Sequence, residues 1–80
     1  MAPHSAAQRG AVLAAIERYL AAHPDAADNA EGIAQWWLPT CGVNALVPQV
    51  EAALEQGLKE GRLRRLQVPG GGVIWGTPRP

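Results

Sequence analysis

Proline and glycine positions constrain the fold of this 80-residue chain more than any other feature, because both residue types interrupt regular structure. Pro24 and Pro39 each follow a segment of helical periodicity, and a proline disfavours helical geometry in the residue before it. Gly61 follows a third such segment, where a glycine commonly closes a helix. Residues 69–72, which read Pro-Gly-Gly-Gly, separate two strand-like segments. The breaks therefore predict a mainly α domain of the α+β class, with three helices followed by a small β-hairpin.

The first predicted helix covers residues 5–23. Ser5 and Gln8 have the spacing of a capping box at its start. Its large apolar side chains recur at helical spacing and form a stripe of Val12, Leu13, Ile16, Tyr19 and Leu20. Alanines fall mostly on the opposite side, namely Ala11, Ala14, Ala15, Ala21 and Ala22. That outer side is either helix-forming filler or a flat surface against which another helix packs.

The second and third helices are predicted over about residues 29–38 and 44–60. Asp28 is the expected N-cap of the second helix, with Glu31 in the reciprocal capping-box position. Pro48 indicates that the third helix begins close to that residue, where the missing N–H costs nothing. The buried stripe of the third helix is expected to contain Val47, Val50, Leu54 and Leu58, with Leu46 and Ala53 at its edges.

The hairpin is predicted over about residues 62–75. Leu63 and Leu66 are an odd number of positions apart, so strict alternation fails and a bulge or bend is expected between them. Residues 25–28, which join the first two helices, contain no clear strand. The sequence therefore leaves open whether a third strand joins the hairpin.

Length and composition indicate one domain, spanning residues 1–80 with disordered tails at 1–4 and 77–80, the second of them beginning as early as Gly76. The hydrophobic fraction of 48% includes no Phe, so three tryptophans carry much of the large apolar surface. A lone Cys41 excludes an internal disulfide and suits the reducing cytoplasm.

The N-terminal residues, the lengths of the apolar runs and the net charge indicate where the protein works and what it can bind. The N-terminal residues lack the features of a signal peptide, and no apolar run approaches the roughly 20 residues that span a bilayer. We therefore expect a cytoplasmic protein that does not contact membranes. Seven basic and seven acidic residues cancel. This balance counts against a stand-alone nucleic-acid binder, since phosphate neutralisation supplies most non-specific affinity.

The order of the predicted elements resembles that of winged-helix domains over about residues 8–76. Residues 50–54 read V-E-A-A-L and fit the V-x-x-A-L of that family's third helix. Residues 59–63 read K-E-G-R-L and fit the x-E-G-x-L turn that follows it, and Trp75 stands where the hairpin closes on an aromatic residue. The resemblance implies a three-helix domain with a wing. Members of this family bind duplex DNA through the third helix and the wing, or act as protein–protein modules in larger assemblies.

Candidate nucleic-acid contacts lie on the outer face of the third helix and on the wing. Glutamine amides can hydrogen-bond base edges, and arginines beside a hairpin can contact phosphates. The candidates are Gln49, Gln56, Lys59, Arg62, Arg64 and Arg65. However, Glu51 and Glu55 lie close to the glutamines and would repel phosphates. The plainer alternative is a solvated helix face and arginines that pair with Glu51, Glu55 or Glu60.

Trp36 and Trp37 are the candidate protein contacts. Adjacent residues on a helix point roughly 100° apart, so the two rings cannot both lie at the centre of one buried stripe. An exposed tryptophan is a common anchor for a partner protein. The alternative is that both rings are mostly buried in a core that lacks Phe. We expect a binding module that acts mainly through protein contacts, as a homodimer or on a larger partner, with a small DNA-binding regulator as the alternative.

Catalysis, metal binding and cofactor binding find little support in the sequence. His4 and His23 are far in sequence from Cys41, and no spacing of metal ligands occurs. Residues 69–72 lack the following helix and lysine of a phosphate-binding loop. We therefore expect no enzyme, no cofactor and no small-molecule site.

Overall fold

The computed structural model describes residues 6–78 and arranges them as three helices followed by a two-stranded antiparallel sheet. The helices are α1 (Ala6–Ala22), α2 (residues 30–40) and α3 (Val47–Lys59), and the strands are β1 (Arg64–Gln67) and β2 (Val73–Gly76). The predicted α+β class and element order are confirmed. The predicted cap Ser5 and the tail residues 1–4, 79 and 80 lie outside the described residues.

Helix α1 buries the face that its periodicity predicts, with one exception. Val12, Leu13, Ile16 and Leu20 are buried, and Tyr19 is half-buried. Ala15 was expected on the outer face with the other alanines, and this is wrong because it is fully buried. The turn after α2 packs onto α1 there, where the Cys41 Sγ lies 3.5 Å from the Ala15 carbonyl oxygen. A methyl side chain permits this close approach. The remaining outer alanines, Ala11, Ala14, Ala21 and Ala22, are exposed.

Helix α2 begins one residue later than predicted, because Asn29 and not Asp28 is its N-cap. The Asn29 Oδ1 accepts a hydrogen bond from the Gly32 N–H at 2.8 Å. The Asp28 backbone is extended and pairs with Trp75. Its carboxylate Oδ1 accepts from the Asn29 N–H instead, at 2.7 Å.

Helix α2 also ends later than predicted, at Thr40, so Pro39 lies inside its last turn. Residues 33–37 form a π-helical segment, in which the Leu38 N–H donates to the Ile33 carbonyl. A proline in an α-helix meets the carbonyl four residues earlier, which here is that of Gln35. The wider π turn changes that spacing, so the helix accommodates Pro39 and continues for one more residue.

Helix α3 begins at Val47, with Leu46 as the N-cap residue and Pro48 in the first turn. Leu46 was expected at the edge of the buried stripe, but it is 68% exposed. Its backbone is extended, so its side chain does not follow the helical stripe. Val47 and Leu58 are half-buried, and the fully buried positions of α3 are Val50, Ala53, Leu54 and Gly57.

The hairpin has a regular register, with Arg64 opposite Gly76 and Gln67 opposite Val73. The predicted bulge is therefore wrong, because Leu63 precedes the strand and its spacing to Leu66 is not a strand spacing. Gly76 is a buried strand residue and not part of a tail. The Thr77 hydroxyl, also expected to be disordered, donates a hydrogen bond to the Pro24 carbonyl at 3.4 Å.

Asp28 forms a one-residue antiparallel bridge to Trp75 on the hairpin. The Trp75 N–H donates to the Asp28 carbonyl at 2.8 Å, and the Asp28 N–H donates to the Trp75 carbonyl at 3.2 Å. The open question of a third strand therefore has a specific answer. Within residues 6–78, the connection between α1 and α2 contributes a single bridge at this edge of β2 and not a full strand.

The core draws side chains from all three helices and the hairpin. The Tyr19 and Trp37 rings stack with centroids 4.6 Å apart and so join α1 to α2. A Cβ at Gly57 would overlap the Leu13 and Leu63 side chains, so α3 approaches both closely at that point. The buried core consists of Val12, Leu13, Ala15, Ile16, Leu20, Ile33, Trp37, Leu38, Val50, Ala53, Leu54, Leu63 and Trp75. Among the described residues, no helix has the length and apolarity needed to cross a membrane.

Candidate functional site

The two adjacent tryptophans occupy opposite environments. Trp37 is 3% exposed and stacks on Tyr19, whereas Trp36 is 63% exposed. The geometric expectation that the rings cannot share one stripe is confirmed, and the alternative that both are buried is contradicted. Trp36 is therefore a large apolar side chain that this domain leaves in solvent.

A second large apolar side chain, Leu46, is exposed shortly after Trp36 in the chain. Both lie in residues 32–50, a stretch without any aspartate, glutamate, lysine, arginine or histidine. Its other exposed residues are polar or small, namely Gln35, Pro39, Thr40, Gly42, Asn44 and Pro48. The sequence did not predict the exposure of Leu46, which was expected at the edge of the buried stripe, although the absence of charged residues around it was visible.

The two candidate base-reading glutamines are engaged within the domain. The Gln49 Oε1 accepts from the Leu46 N–H at 2.7 Å, and its Nε2 donates to the Gln8 Oε1 at 3.1 Å. The Gln56 Oε1 accepts from the Arg9 Nε at 3.1 Å, and its Nε2 donates to Glu60. Gln49 thus closes the start of α3, and both amides join α3 to α1. Base readout would require these hydrogen bonds to break.

Two of the three arginines at the start of the hairpin pair with carboxylates. Arg62 lies 3.2 Å from Glu17 and 3.1 Å from Glu60. Arg65 lies 3.6 Å from Glu55. The expected pairing of the arginines with glutamates is confirmed for Glu60 and Glu55. Such exposed pairs contribute little to stability, but they offset positive charge that phosphate binding would use.

Arg64 and Lys59 differ from these two arginines. Arg64 is half-buried, and its Nε is enclosed without a hydrogen-bond partner among the residues that the structure describes. Lys59 is exposed in the last turn of α3, where a positive charge favours the helix dipole. Lys59 therefore has a structural role that requires no partner.

A groove of about 590 Å³ lies between the start of α2, helix α3 and the hairpin. Its apolar lining consists of Ala30, Val47, Ala52, Val73 and Trp75. Its charged lining consists of Glu31, Glu51, Glu55 and Arg65. Three carboxylates against one guanidinium make the groove acidic. Sequence reasoning noted Glu51 and Glu55 on α3 but could not place Glu31 and the Trp75 ring beside them.

No family model matches this chain, and no curated protein or solved structure matches it either.

The side chains suited to nucleophilic or metal chemistry are dispersed. Within residues 6–78, no group of three or more His, Cys, Asp or Glu side chains could hold a metal ion. Cys41 is half-buried, and its thiol is directed to the Ala15 carbonyl oxygen. The His23 ring packs on Tyr19 with centroids 4.5 Å apart. Both residues thus have packing partners on α1.

Proposed function

We propose that this chain is a non-catalytic binding module of the winged-helix type that acts mainly through contact with another protein. The single observation that carries the proposal is the exposure of Trp36, at 63% of its surface. The element order and the wing-like hairpin support the winged-helix assignment. The free thiol of Cys41 suits the reducing cytoplasm in which we propose that the module works.

Trp36 has no packing role that explains its size. Trp37 fills the core position beside Ile33 and Tyr19, and the helix would form with a small polar residue at position 36. Tryptophan is over-represented among the residues that dominate binding energy at protein interfaces. Covering a ring of this type removes about 150–250 Å² of surface from water. The exposed ring thus supports a protein contact more directly than any other feature.

The partner that this surface fits best is a second copy of the chain. In a two-fold dimer a surface patch meets its own copy, so a charge near the axis faces a like charge. Like charges in contact oppose association. The stretch 32–50, which contains Trp36 and Leu46, has no charged side chain of its own, so it brings no like charges to the axis. The Arg18 guanidinium of α1 borders this stretch, 3.4 Å from the Cys41 carbonyl oxygen.

Self-association can be tested by sedimentation velocity over a range of protein concentrations. We expect the average mass of the wild type to rise toward that of a dimer, and Trp36→Ala to remain monomeric at concentrations where the wild type is dimeric. Gln67→Ala alters an exposed position of β1, outside the stretch 32–50, and serves as the control, with association like that of the wild type. A wild type that stays monomeric, or a Trp36→Ala variant that dimerises equally well, would overturn the proposal.

Binding of duplex DNA is the alternative function, and it can be tested directly. The engaged glutamines, the paired arginines and the acidic groove all oppose it. We expect no measurable affinity for duplex DNA in fluorescence anisotropy, even at low salt. Affinity that falls steeply with salt, and that falls again in an Arg64→Ala, Arg65→Ala double variant, would favour the DNA-binding regulator instead.

A further inference from the structure

The groove between α2, α3 and the hairpin differs in character from the Trp36 surface. Neither Trp36 nor Leu46 lines it, and its walls come from three elements that are distant in sequence. Its volume of about 590 Å³ exceeds that of a single side chain. Its lining combines apolar groups with exposed carboxylates. A ligand that fits it therefore needs an apolar part and a positive charge.

Glu31 and Glu51 carry negative charges that no ion pair within the described residues neutralises. Both are exposed, and within residues 6–78 neither carboxylate has an ion-pair or hydrogen-bond partner. Glu55 is the third carboxylate of the groove and lies 3.6 Å from Arg65. Two unpaired negative charges therefore face solvent beside the apolar lining.

Arg65 shows how a cationic side chain fits this groove. Its guanidinium lies over the Trp75 ring, 5.9 Å from the centroid, and beside the Glu55 carboxylate. Aromatic faces attract guanidinium groups, and long cationic side chains place their methylene stems along apolar surface. The groove thus already holds the Arg65 guanidinium, whereas neither Glu31 nor Glu51 is paired with a cationic side chain.

We propose that this groove binds a cationic segment of a partner protein. An arginine or lysine side chain of that segment lies along the apolar lining, with its charged end at Glu31 and Glu51. A nucleic-acid backbone is excluded because its phosphates would face three carboxylates. This site is additional to the Trp36 contact and does not depend on self-association.

The test uses the full chain, isotope-labelled for NMR, and a short peptide in which arginine alternates with alanine. We expect the peptide to shift the Trp75 indole signal and the amide signals of Val47 and Ala52, and to leave the Trp36 indole signal unchanged. A matched peptide with glutamine in place of arginine should give no shifts. The proposal would be overturned by NMR shifts that spread evenly over the acidic surface or centre outside the groove. It would also be overturned if no binding occurred at millimolar peptide.

Charge variants complete the test. A Glu31→Gln, Glu51→Gln double variant should bind the arginine peptide about 3- to 30-fold more weakly, the range expected for two exposed ion pairs. The control variant Asp25→Asn, Glu60→Gln makes the same change in net charge outside the groove and should bind within about twofold of the wild type. Equal weakening in both variants would show that only net charge matters and would also overturn the proposal. Sedimentation velocity of the Glu31→Gln, Glu51→Gln variant separates the groove proposal from the self-association proposal, because self-association through Trp36 should be unaffected.

Discussion

Replacing Trp37 by alanine should lower the free energy of unfolding by about 3–5 kcal/mol, the usual cost of removing a large buried aromatic side chain. Trp37 is 3% exposed, stacks on Tyr19 and holds α2 against α1. Domains of this size are rarely stable by more than about 3–5 kcal/mol, so most of the variant should be unfolded in dilute buffer. Circular dichroism during urea titration measures the loss.

The adjacent residue gives a matched control for this effect. Trp36→Ala removes the same side chain from an exposed position of the same helix, and it should change the free energy of unfolding by less than about 0.5 kcal/mol. Comparable losses in the two variants would contradict the orientation of α2. The pair thus separates a tryptophan that stabilises the fold from one that is available for binding.

Gly57→Val should lower the free energy of unfolding by at least about 2 kcal/mol through overpacking. A Cβ at Gly57 would lie 2.6 Å from the Leu63 Cδ1 and 2.8 Å from the Leu13 Cδ1, which is closer than van der Waals contact. Valine adds two further methyl groups at this crossing of α1, α3 and the chain before β1. Thermal and urea unfolding both report the change.

Gly10→Val is the corresponding control in α1. A Cβ at Gly10 meets no atom within 4 Å, and the residue is exposed. Valine has a somewhat better helix propensity than glycine, so the expected change is within about 0.5 kcal/mol of zero. If Gly57→Val changed the free energy of unfolding as little as Gly10→Val, the Leu13 and Leu63 side chains would have room to move. The packing of α3 against them would then be looser than described.

Local sequence signals predicted the order of elements well, and long-range contacts account for most of the errors. Pro24 and Gly61 mark the ends of α1 and α3, as expected. Asp28 and Asn29 are both good capping residues, and backbone pairing of Asp28 with Trp75 leaves Asn29 as the cap. That pairing joins residues far apart in sequence. No reading of residues near the helix could have shown it.

The candidate site was predictable only in part, for the same reason. The 100° spacing of adjacent helical residues was enough to separate Trp36 from Trp37. A helical wheel placed Gln49 and Gln56 on the outer face of α3, but their partners Gln8 and Arg9 come from α1. Periodicity within one helix describes its own faces and does not show which neighbour covers their edges.

The backbone bridge between Asp28 and Trp75 links the connection after α1 to the last strand of the domain. Two hydrogen bonds at this point close a loop that contains α2, α3 and most of the hairpin. The hairpin is consequently tied to the helical part of the domain by backbone hydrogen bonds as well as by side-chain packing. A substitution that displaces β2 would also break the backbone hydrogen bonds that hold the α1–α2 connection, so we expect these two parts of the domain to unfold as one cooperative unit.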